Sequence, residues 1–74
     1  MTNESRSFAE AKHDLLVLRD AHGADTEVGH ICSNIITLID AYRDEDSAEA
    51  RARQSAEVAR QSVALAKAIS RVAQ

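Results

Sequence analysis

The sequence predicts an all-α fold, a three-helix up-down-up unit. In it the second and third helices form a long hairpin and the first is packed across them. Three observations predict it. The chain has no proline and two glycines, so almost nothing interrupts helix formation. Its apolar residues recur at spacings of three and four rather than two. Polar, acid-rich connections then divide it into three segments, each short enough to join antiparallel neighbours.

The first helix is expected from about Ser7 to Ala21. Phe8, Ala11, Leu15, Leu18 and His22 share one arc of about 80° at 100° per residue, while Leu16 and Val17 lie outside it. The run His22-Gly23-Ala24-Asp25 reads as a stop, because Gly23 suits the left-handed position that follows a helix end.

The second helix runs from about Thr26 to Arg43, with Asp25 as the expected cap. Val28, Ile31, Ile35, Leu38 and Tyr42 step by three and four, and Cys32, Ile36 and Ile39 form a row beside them. The combined arc of about 160° is wide enough to meet two neighbouring helices. Ile35, at its middle, is the expected centre of the core.

Arg43-Asp44-Glu45-Asp46 forms the second connection, and the third helix covers about 47–73. Asp46 and Glu49 have capping-box spacing. Val58, Ser62, Leu65, Ile69 and Val72 make one seam, expected to satisfy the second helix. Ala52, Ala56, Ala59, Val63, Ala66 and Ala73 make another, expected to meet a second copy of the chain. Nine of the last 28 residues are alanine, and small side chains let another backbone come close.

Seventy-four residues make one domain, and a chain this short buries only about 60% of its unfolded surface. Disulfides, a structural metal or self-association usually compensate. The single cysteine, Cys32, cannot form an internal disulfide and no Cys/His spacing suits zinc. Self-association is therefore expected. No apolar run approaches the roughly 18 residues of a membrane span, and Met1–Arg6 lacks the form of a secretory leader. With a lone thiol, these features point to the cytoplasm.

Charge is unevenly spread. Residues 1–46 carry ten acids and four bases, whereas residues 47–74 carry two acids and five bases. The overall charge of −3 argues against nucleic acid, which needs a net basic footprint. Within the basic half, Arg53, Arg60, Lys67 and Arg71 fall within about 40° of one another on the third helix. Such a stripe either solubilises an alanine-rich helix or docks an acidic protein surface or an anionic small molecule.

Catalytic and metal chemistry find little footing. Glu10/His13 and Glu27/His30 have the Glu-x-x-His spacing of di-iron helical bundles, but Glu10 and His13 lie opposite Phe8 and Leu15. His30 likewise lies among the polar residues of the second helix. Cys32 sits on the apolar arc, as a buried structural thiol would. No nucleophile elbow, phosphate loop or metalloprotease motif occurs, so no cofactor is expected.

The stretch Leu65-Ala66-Lys67-Ala68-Ile69-Ser70-Arg71, preceded by a short acidic turn and an amphipathic helix, resembles the C-terminal helix of phage-encoded sponges. Those proteins sequester cyclic oligonucleotide immune signals. The resemblance covers about a third of the chain and implies an oligomer holding an anionic nucleotide between subunits. Val63, Ala64 and Leu65 stand where that helix carries aromatic and Met residues. The residues themselves favour a non-catalytic protein-binding module, a regulator, inhibitor or adaptor acting through a helical face. The nucleotide binder and a metal-binding bundle are the alternatives.

Overall fold

The computed structural model describes the backbone of residues 3–73 and the side chains of residues 7–73. The sequence reading of Met1–Arg6 as no secretory leader lies outside those side chains. Three helices account for 90% of the described chain: α1 (Asn3–His22), α2 (Glu27–Asp44) and α3 (Ala48–Ala73). Helix α1 begins four residues before the expected Ser7, since neither proline nor glycine interrupts that stretch. No described helix is long and apolar enough to cross a membrane.

The order of the helices across the fold follows from the apolar arcs. Helix α2 has the widest arc and sits at the centre, in contact with both others. Among the described residues, no Cα of α1 comes within 8 Å of a Cα of α3. Val28, Cys32 and Ala68 form the fully buried centre, and Leu15 and Leu18 of α1 and Leu65 and Ile69 of α3 close around it. Ile35 is 3% exposed, as its place in the arc requires.

The first connection is built around one carbonyl. Gly23 has φ +98°, the left-handed conformation expected there, and its N–H donates to the Arg19 carbonyl at 2.7 Å. Its own carbonyl oxygen accepts from the Thr26 hydroxyl at 2.6 Å and from the Thr26 N–H at 3.2 Å. The Thr26 hydroxyl in turn accepts from the Gly29 N–H at 3.1 Å. Thr26 is thus the cap of α2, not Asp25. The chain turns so tightly that Thr26, not its neighbour, reaches the free N–H groups of the first turn.

Gly29 is buried under this connection. A Cβ there would lie 2.9 Å from the Ala24 Cα and closer still to the Gly23 carbonyl oxygen. The close crossing of loop over helix therefore needs a residue without a side chain, a demand the apolar pattern of α2 does not express.

At the second connection, Ser47 replaces the expected Asp46 as the cap. Its hydroxyl accepts from the Ala50 N–H at 3.3 Å and its carbonyl from the Arg51 N–H at 2.9 Å. The Glu45 carboxylate accepts from the Ser47 N–H at 3.0 Å.

Helix α3 is rotated from its expected orientation. Val58, Leu65 and Ile69 are half-buried, but Ser62 and Val72 of the same seam are exposed. Their places are taken by Gln54, Gln61, Ala64 and, at the contact itself, Ala68, which is fully buried against the α2 core. A methyl side chain lets the backbones of α2 and α3 approach, and that contact selects the helix face.

Candidate interaction surface

The rotation turns the alanine seam outward. Ala52, Ala56, Ala59, Val63, Ala66 and Ala73 are all exposed, and Val63 keeps 55% of its surface in water. They lie on the side of α3 away from α2, so the chain leaves this apolar face uncovered. The close helix contact within the chain is made by Ala68, outside that seam.

The basic stripe runs along one flank of this face, and all four of its residues are exposed. Three make ion pairs within the chain. Arg53 donates to Glu49 at 3.1 Å, Arg60 contacts Glu57, and Arg71 reaches across to Glu27 of α2 at 2.7 Å. Lys67 has no partner among the described residues. The Glu57 carboxyl is held below its usual range, first by the hydrogen bond from Gln61 and then by Arg60. Exposed pairs of this kind contribute little to stability.

On the opposite flank of the molecule, α1 presents an outer face of the other sign. Asp14 and Asp20 are exposed there, beside Leu16 and Val17, and Val17 is 55% exposed. The two cations described on this helix turn inward. Lys12 donates to Asp40 of α2 at 2.6 Å and Arg19 donates to the Ser33 hydroxyl at 3.4 Å. Among the described residues, the outer face therefore carries carboxylates and no Lys or Arg.

Between the helix ends farthest from Gly23, Phe8, Ile39, Tyr42, Ser55 and Val58 line a cleft of about 360 Å³. Phe8 meets the Tyr42 ring edge-on at 5.8 Å, and the Arg51 guanidinium lies 4.1 Å from the centre of that ring, a cation–π arrangement. This cluster joins all three helices. Sequence periodicity placed Phe8 and Tyr42 on apolar arcs but had no means of bringing Arg51 to them.

The remaining chemistry-bearing residues stand apart. Glu10 and His13 are exposed on α1, Glu27 and His30 are exposed on α2, and Glu27 is engaged by Arg71. Among the described residues, no three His, Cys, Asp or Glu side chains converge to hold a metal ion. Cys32 is fully buried. Burial pushes its thiol above the usual range, against a smaller opposing effect of Arg19. His22 is half-buried at the end of α1, a boundary position rather than part of a cluster.

Comparison of the chain with protein-family models, curated proteins and solved structures finds no match.

Proposed function

We propose that this protein is a non-catalytic helical binding module that engages a protein partner through the outer face of α3. The observation that supports the reading is the uncovered face itself. Ala52, Ala56, Ala59, Val63 and Ala66 stand in register in water, where charged residues would serve solubility better. A close helix crossing, by contrast, benefits from small side chains. Arg53, Arg60, Lys67 and Arg71 border the face and supply orientation and a preference for an acidic partner. An anionic small molecule at the same stripe would leave the neighbouring apolar face uncovered.

Photo-crosslinking in living cells tests this reading. A photoreactive residue is placed at Ala59 or Ala66 and, for comparison, at exposed Thr37 of α2. Crosslinked peptides are then identified by mass spectrometry. The reading expects one defined partner peptide at both α3 positions and none at Thr37. Equal, unspecific labelling at all three positions would reject it.

A further inference from the structure

We infer that the partner of the α3 face is a second copy of this chain, docked through the outer face of its α1. The inference rests on the reading of α3 as a binding face and names what covers it. Among the described residues, the outer faces of α1 and α3 are both uncovered, and they are complementary in chemistry and opposite in charge. The α3 face is apolar along Ala59, Val63 and Ala66, with Arg60 and Lys67 alongside. The α1 face is apolar at Leu16 and Val17, with Asp14 and Asp20 beside them. Val17 and Val63 are each 55% exposed.

The fold itself produces this complementarity. Lys12 and Arg19 lie on the side of α1 that meets α2, held by Asp40 and Ser33, so among the described residues the outer face of α1 carries no Lys or Arg. On α3, Glu57 is half-buried and bonded to Gln61 and Arg60, so Glu49 is the acid left fully exposed on that helix. Two copies of the α3 face would set arginine beside arginine, and two copies of the α1 face would set carboxylate beside carboxylate. Only the mixed pairing brings opposite charges together around apolar centres.

Helices α1 and α3 flank α2 with no Cα pair between them within 8 Å among the described residues, and Val17 and Val63 are exposed together on one chain. The contact is therefore head-to-tail. Such a heterologous interface closes into a ring of three or more chains or continues as an open row, and it cannot stop at a two-fold dimer.

Sedimentation equilibrium over a range of concentrations, with circular dichroism as a folding control, tests this. Wild type should exceed two chains in mass at high concentration, and association should weaken in high salt. Val17→Lys places a cation before the basic stripe, and Val63→Glu places a carboxylate before the acidic face. Each variant alone should match the wild-type thermal midpoint at concentrations where wild type is monomeric, and associate at least about tenfold more weakly. Mixing the two should restore assemblies containing both in equal number.

A wild type whose mass plateaus at two chains overturns the inference. So does a Val17→Lys protein that associates like wild type. A monomer at every concentration overturns it too, yet leaves the α3 binding face standing if the crosslinks at Ala59 and Ala66 reach a different protein. Absence of both association and specific crosslinks removes the binding reading itself.

Discussion

Gly29→Ala is the substitution for which helix propensity and tertiary structure predict opposite signs. Propensity alone favours alanine over glycine inside a helix by about 1 kcal/mol. The structure opposes it. The new methyl would sit 2.9 Å from the Ala24 Cα, 3.0 Å from the Ala24 carbonyl carbon, and nearer still to the Gly23 oxygen. All three are backbone atoms, so no flexible side chain can yield. The Gly23 carbonyl is also the acceptor of both Thr26 hydrogen bonds, and moving it disturbs the cap that holds the Gly29 N–H. Overpacking costs about 1–3 kcal/mol and loss of the cap about 0.5–2 kcal/mol. Against the gain in propensity, the net is a loss of about 0.5–4 kcal/mol. A domain of this size loses about 4–8 °C of thermal midpoint per kcal/mol. Thermal unfolding followed by circular dichroism, with exposed Ser62→Ala as a control that carries a gain in helix propensity without a clash, measures the shift. A Gly29→Ala protein as stable as wild type, or more so, would refute the tight crossing of the connection over α2.

Ile35→Ala should cost about 2–5 kcal/mol, the usual result of truncating a buried isoleucine, and chemical denaturation measures it. An unchanged midpoint would displace Ile35 from the core. Cys32 should make stability pH-dependent in alkali. Its thiol is raised by burial, so above the ordinary thiol range the unfolded chain loses the proton first. Stability then falls as pH rises, and Cys32→Ala should remove that part of the slope. Breaking the exposed Arg71–Glu27 pair by Arg71→Ala should cost no more than about 1 kcal/mol. A larger loss would mean that this contact, not apolar packing, sets the orientation of α3. Elemental analysis should find no stoichiometric iron, zinc or manganese, since Glu10/His13 and Glu27/His30 lie on exposed, separate surfaces.

The sequence by itself determined three helices, their approximate limits and the central place of the second. Isoleucines at spacings of three and four, with valine, cysteine and tyrosine continuing the rows, allow only one wide apolar arc. That arc needs two neighbours to cover it. The turn at Gly23 was equally legible, because few residues other than glycine adopt a positive φ there. The caps were legible to within one residue. Asp25-Thr26 and Asp46-Ser47 each offer two side chains able to cap, and the path of the chain through the turn chooses between them.

Tertiary structure alone decided which side of α3 faces inward. Alanine lies on nearly every side of that helix, so the hydrophobic signal barely changes as the helix is turned about its axis. Close fit settles the matter, through Ala68 against Cys32 and Val28, Arg51 over Tyr42 and Arg71 on Glu27. A count of acids and bases gives each half its sign. Lys12 and Arg19 stand within about 60° of Phe8 and Leu15 at 100° per residue, on the inner side of α1, and tertiary structure adds only the partners, Asp40 and Ser33, that receive them.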